Sequence, residues 1–240
     1  MDTQNLANLL LLPCIAVFGV IAIRSRGLAA VGLRPRPRTF VLGFLIGTVA
    51  ISVVFVLLRA TATIEVESVG GDTGMIVALL IYLVLLALIE EAVFRGLLMN
   101  GIGVAVRSDW LAVGITAVLV GVPYFFAEGA GALGILSGVL SGVMYGAAFL
   151  ATQNIWLGAG LRAAWNFVQG PLLGFPVSAT MLVDDPLIHQ MATGARWLTG
   201  GVYGPEASVP GLVIRLVVIA YLIRQVKTSR SLAGRDGQAA

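Results

Sequence analysis

Seven stretches of this chain are long and apolar enough to cross a lipid bilayer. They lie near 6–23, 39–58, 75–105, 110–127, 131–151, 154–175 and 207–223. The hydrocarbon layer is about 30 Å thick and a helix rises about 1.5 Å per residue, so about 20 apolar residues suffice to span it. Lipid offers backbone groups no water to bond with, so each spanning segment must satisfy its own N–H and C=O groups, as a helix does. The pattern predicts an all-α fold: a polytopic membrane helix bundle of about seven transmembrane helices. Composition agrees. Of 240 residues, 58% are hydrophobic and only 11% charged, with a mean hydropathy of +0.97. A soluble domain carries about twice that charge.

The charges between the apolar runs orient the bundle. The first connection, RSRGLAAVGLRPRPR, holds Arg24, Arg26, Arg34, Arg36 and Arg38 and no acid, and the tail holds Arg224, Lys227, Arg230 and Arg235. Segment 59–74 carries Glu65, Glu67 and Asp72, and segment 176–206 carries Asp184, Asp185 and Glu206. Basic loops stay on the cytoplasmic side, so an N-out, C-in path through the plasma membrane satisfies every connection. The expected organisation is two N-terminal transmembrane helices in 1–74, a core in 75–225 and a basic cytoplasmic tail in 226–240. The N-terminus lacks the basic start of a signal peptide, so Leu6–Ile23 reads as a retained helix.

Other function classes lose support on simple grounds. The single cysteine, Cys14, permits no disulfide framework, and the single histidine, His189, rules out a zinc site built on two histidines of this chain. No metal and no cofactor is expected. The net charge of +3 is small and its bases are placed by topology, so nucleic acid is not an expected partner. GILSGVLSGVMYG sets Gly134, Gly138, Gly142 and Gly146 four residues apart. Such a smooth helix face lets another backbone approach closely. A tight intramolecular contact is the preferred reading, and homo-oligomerisation through these glycines is the alternative.

ALIEEAVFRGLL (Ala87–Leu98) places Glu90, Glu91 and Arg95 inside an apolar run. A charge at the bilayer centre costs at least about 2.5–3.5 kcal/mol, so such residues are functional candidates. Glu91 and Arg95 are one helical turn apart and can pair. Glu90 points about 100° away and is left without a partner in this pattern. A carboxylate placed so is a candidate general base, while a purely structural ion pair explains only Glu91 and Arg95.

EEAVFRG resembles the E-E-x-x-x-R motif of the CAAX-protease and bacteriocin-processing (CPBP, or Abi) membrane family, related to the type II CAAX prenyl endopeptidases. RAAWNFVQGPLLGFPVS (Arg162–Ser178) resembles its third motif, and WLTGGVYGPEAS (Trp197–Ser208) a segment common ahead of the last helix in bacterial members. The resemblance spans about 75–225. It implies an intramembrane glutamate-type endopeptidase fold, with Glu90 activating water, Glu91 and Arg95 as its supporting pair, and Asn166 as oxyanion donor.

Two positions depart from that pattern. The second motif's histidine position holds Glu128 in YFFAE, and the third motif's holds Arg162 in RAAWN. A guanidinium neither accepts a proton nor ligates a metal. The opposite charges predict that Glu128 and Arg162 pair across helices. The candidate site is therefore Glu90, Glu91, Arg95, Glu128, Arg162 and Asn166.

Three functions compete. The chain is an endopeptidase that hydrolyses a peptide bond of a membrane-associated protein; or it is a non-catalytic pseudoprotease that binds a membrane protein, lipid or peptide as a scaffolding or immunity protein; or its buried acids serve ion-coupled transport. The last has no inverted repeat to support it.

Overall fold

The computed structural model describes residues 3–121 and 129–236, with the side chains of 3–11, 30, 230 and 232–236 excepted. The chain is mostly helical: α1 (Thr3–Arg26), α2 (Pro37–Ala60), α3 (Thr73–Glu91), α4 (Asn100–Val106), α5 (Asp109–Gly121), α6 (Gly131–Thr152), α7 (Trp156–Phe167), the short α8 (Arg196–Thr199) and α9 (Val209–Asp236). Between α3 and α4, Ala92–Met99 forms a π-helix, so the chain runs without a break over Thr73–Val106, 34 residues. Another π turn, Val168–Leu172, prolongs α7.

Among the described residues, four helices are long and apolar enough to cross a membrane: Pro37–Ala60, Thr73–Val106, Gly131–Thr152 and Val209–Ser229. The apolar run near 110–127 contains a shorter helix, Asp109–Gly121. Helix ends follow local chemistry. Pro37 stands at the first position of α2, where its missing N–H costs nothing. The Asp72 carboxylate caps α3 by accepting from the Met75 N–H at 3.0 Å.

Small residues set the packing. α7 lies against α2, where a Cβ on Gly43 would stand 2.1 Å from the Leu157 carbonyl oxygen and one on Gly160 would stand 2.1 Å from that of Phe40. α6 packs on α5 in the same way. Gly142 faces Ala117, where a Cβ would meet Cα at 2.6 Å, and Gly146 faces Val113. Gly134 lies against the Tyr203 ring. In a lipid solvent these close approaches supply the van der Waals contact that holds helices together.

The two ends of the bundle differ in charge. At one end the Asn154 side chain donates to the Arg34 carbonyl, Arg36 donates to Thr152 O, and Arg26 pairs with Asp109. The Ser229 hydroxyl bonds Ala151 O at the same end. This gathers the basic connection, the α4–α5 and α6–α7 turns and the end of α9. At the other end, β1 (Ile64–Val69) pairs antiparallel with β2 (Ile188–Ala192), with an irregularity between Val66 and Ser68. Sequence reading treats both segments as plain loops. The alternation in IEVESV is visible, but with only Ile64 buried the signal is weak. The pairing joins the two acidic connections at one end, as their shared charge predicts.

The last helix begins later than its sequence suggests. Pro205 and Glu206 are expected in its first turn, but Pro205–Ala207 forms a separate 3-10 turn and α9 starts at Val209. Ser208 is the better cap: its hydroxyl accepts from the Gly211 N–H at 3.0 Å. Glu206 is thereby turned into the protein rather than toward a helix dipole.

Candidate functional site

α3 and α7 lie side by side, and their charges meet. Arg162 on α7 donates to Oε1 of Glu91 from Nε at 3.1 Å and from Nη2 at 2.9 Å. Its Nη1 stands 3.1 Å from Oε2 of Glu90. Arg95 Nη1 lies 3.5 Å from the same Glu91 oxygen, and its Nη2 donates to the Gly142 carbonyl at 3.3 Å. Two carboxylates and two guanidinium groups thus form one neutral cluster. Glu91 and Arg95 are fully enclosed, Arg162 is 11% exposed and Glu90 31%.

This corrects the expectation that Glu90 lacks a partner. A helical wheel of α3 shows only neighbours on α3. The partner comes from α7, 71 and 72 residues away in sequence, and one guanidinium is broad enough to reach two adjacent carboxylates. The partner expected for Arg162, Glu128, lies outside the described residues.

Aromatic and small residues shape the cluster. The Arg162 guanidinium lies 4.1 Å from the centroid of the Tyr145 ring, and that of Arg95 5.3 Å. The ring face favours both cations. Gly158 on α7 leaves room for Glu91, since a Cβ there would stand 2.6 Å from Oε2. The π-helix begins directly after Glu91 and contains Arg95. Such insertions into α-helices recur at functional sites.

Glu90 and Arg162 open onto a polar cavity of about 300 Å³, which Asn166, Tyr145, Ser137 and Ser141 also line. Asn166 stands one turn beyond Arg162 on α7 and so shares the cavity with Glu90. A second ion pair closes the far wall. Arg215 of α9 donates to Ser137 O at 2.9 Å and to the Ser137 hydroxyl, with Nη2 at 3.6 Å from Glu206 Oε2. Glu206 Oε1 accepts from the Ser178 N–H and hydroxyl at 2.7 and 2.8 Å. Val177, Ser178 and Thr180 also line the cavity, so this contact pins the segment after α7 over it.

Sequence reading places Arg215 two turns into its helix, either snorkelling outward or reaching an acid, and misses Tyr145, Gly158 and the inward role of Glu206. An arginine in an apolar helix was the one available signal. Trp165 packs in the core, as its sequence position suggests, and also lies 4.7 Å beneath the Arg215 guanidinium while bonding Gln169 at 2.9 Å. His189 sits on β2 and bonds Asp185 and Gly70 O at the acidic end. Among the described residues no three histidine, cysteine or acidic side chains converge as metal ligands. A guanidinium between Glu90 and Glu91 offers N–H donors where a cation needs lone pairs, so these residues do not fit a metal.

Fold and site together define a class: a helical membrane protein whose buried carboxylate–guanidinium cluster opens on a polar cavity. Residues 72–168 match the family model for Rce1-like type II CAAX prenyl endopeptidases. The matched segment contains Glu90, Glu91, Arg95, Arg162 and Asn166, and over it the chain is similar to the CAAX-protease family. No curated protein and no solved structure gives a significant match.

Proposed function

We propose that this chain is a seven-helix, N-out, C-in protein of the plasma membrane that binds a peptide segment of a membrane-associated protein in its cavity without hydrolysing it. One observation carries the reading. The Arg162 guanidinium contacts Glu90 and Glu91 together, and occupies the ground from which a glutamate base would address a water. A general base needs its lone pair directed at the proton it removes. Here the facing oxygen of Glu90 is engaged by a cation that carries no proton-accepting site. The cluster is also electrically complete, so nothing in it demands a further ion.

Hydrolysis is the second reading, and a different observation favours it. Glu90 is 31% exposed and shares the cavity with Asn166. If a substrate displaces Arg162 from Glu90, that carboxylate activates water, Asn166 donates to the oxyanion and Arg162 adds charge stabilisation.

Reconstitution into proteoliposomes with membrane-anchored peptides decides between them. Crosslinking of peptide into the cavity without cleavage supports the binding protein. Cleavage that Glu90→Ala abolishes overturns it. Cleavage that appears only when Arg162→His and Glu128→His are combined supports a site whose hydrolytic chemistry has been lost.

A further inference from the structure

The basic end of the bundle carries a feature that the peptide cavity does not use. Where α1 ends and α4 turns into α5, Arg26, Arg107, Ser108, Asp109 and Trp110 line a groove of about 460 Å³. Arg26 is already engaged, bonding Asn100 at 3.1 Å and Asp109 at 3.4 Å. That pair cancels the one acid of the groove and leaves Arg107 as its uncompensated charge. Among the described residues Arg107 makes no ion pair, and its side chain is exposed.

The backbone at Arg107 is unusual. It ends α4 with φ +53° and ψ +31°, the left-handed conformation that glycine adopts at little cost. An arginine there carries a penalty of order 1 kcal/mol that glycine would avoid. The side chain is thus kept where the backbone disfavours it.

Aromatic and basic residues flank the groove. Trp110 is exposed at the start of α5, followed by the exposed Leu111, and tryptophan collects at membrane interfaces because its ring is apolar and its N–H polar. Arg24, Arg34, Arg36 and Arg38 crowd the same end. Basic pockets between transmembrane helices on the cytoplasmic side are suited to anionic headgroups.

We propose that the groove between α1 and the α4–α5 turn binds the phosphate of an anionic membrane lipid, with Arg107 as the charge donor and Trp110 against the headgroup–chain boundary. The proposal does not depend on whether the cavity cleaves peptides.

Native mass spectrometry of the delipidated full chain, titrated with phosphatidylglycerol or phosphatidylcholine, tests it. The expected result is preferential retention of phosphatidylglycerol. Arg107→Gln should weaken it about fivefold, the worth of one basic residue at an anionic surface, and Arg107→Lys should restore most of it. Arg196→Gln, a control at the opposite end of the bundle, should change nothing. Equal retention of the two lipids, or loss of affinity equal in Arg107→Gln and Arg196→Gln, overturns the proposal. So does full displacement by inorganic phosphate, which would mark a soluble-anion site rather than a lipid one.

Discussion

Arg162 holds Glu91 with two hydrogen bonds to a single carboxylate oxygen, at 3.1 and 2.9 Å, from a helix 71 residues further along the chain. Its remaining nitrogen reaches Glu90. The pair ties α7 to the middle of the long helix formed by α3 and α4, and it controls both the stability of the bundle and the freedom of Glu90.

Removing Arg162 should destabilise the protein strongly. Arg162→Ala leaves Glu91 enclosed with only the longer contact to Arg95, and breaking a buried pair from one side costs about 3–5 kcal/mol. Arg162→Lys should recover part of this, because an ammonium cannot bridge two carboxylates as a fork does. Thermal unfolding in detergent, followed by circular dichroism, ranks the variants. Equal melting of wild type and Arg162→Ala would contradict the ion-pair geometry.

The two glutamates should respond unequally. Glu91→Gln removes the charge that two guanidinium groups share, at 0% exposure, and should lower stability by about 2–3 kcal/mol. Glu90→Gln disturbs one contact at a side chain that is 31% exposed, and should cost less than about 1 kcal/mol. Denaturation of the two variants in parallel checks the order.

Helix contacts set by glycine should be intolerant of one methyl group. Gly160→Ala drives a Cβ to 2.1 Å from the Phe40 carbonyl, and Gly158→Ala drives one to 2.6 Å from Glu91 Oε2. Each should destabilise by about 1–3 kcal/mol or more. Gly114→Ala meets nothing within 4 Å, and should be neutral or stabilising by up to about 1 kcal/mol because alanine favours the helix.

The charge asymmetry predicts a measurable topology. In a Cys14→Ser background, Glu67→Cys should react with an impermeant maleimide added to intact cells. Arg36→Cys should react only after permeabilisation. The reverse pattern would invert the orientation of the whole bundle.

Much of the architecture was legible from local properties. Hydropathy located the helices, because transfer into lipid acts on each segment alone, although among the described residues four meet the length and apolarity needed to cross a membrane. E-E-x-x-x-R located three of the four charges of the cluster for the same reason: Glu90, Glu91 and Arg95 lie within two turns of one helix. The strand pairing of Ile64–Val69 with Ile188–Ala192 was not legible, since each strand is short, weakly buried and stabilised by a partner over 100 residues away. The same holds for Glu206, whose neighbours suggested a helix start until Ser208 proved the stronger cap.

What the sequence determined by itself was the solvent this chain folds in, the positions of its helices and the presence of carboxylates and arginines where water is scarce. The tertiary structure alone decided who neutralises whom. Arg162 could have faced lipid, an acid on its own helix or either glutamate of α3. The choice depends on the rotation of α7 against α2 and α3, set by glycine contacts at Gly43 and Gly160. Periodicity fixes which residues share a face of one helix, but not how two helices are turned toward each other. That rotation converts Glu90 from an isolated carboxylate into one member of a closed ion-paired cluster.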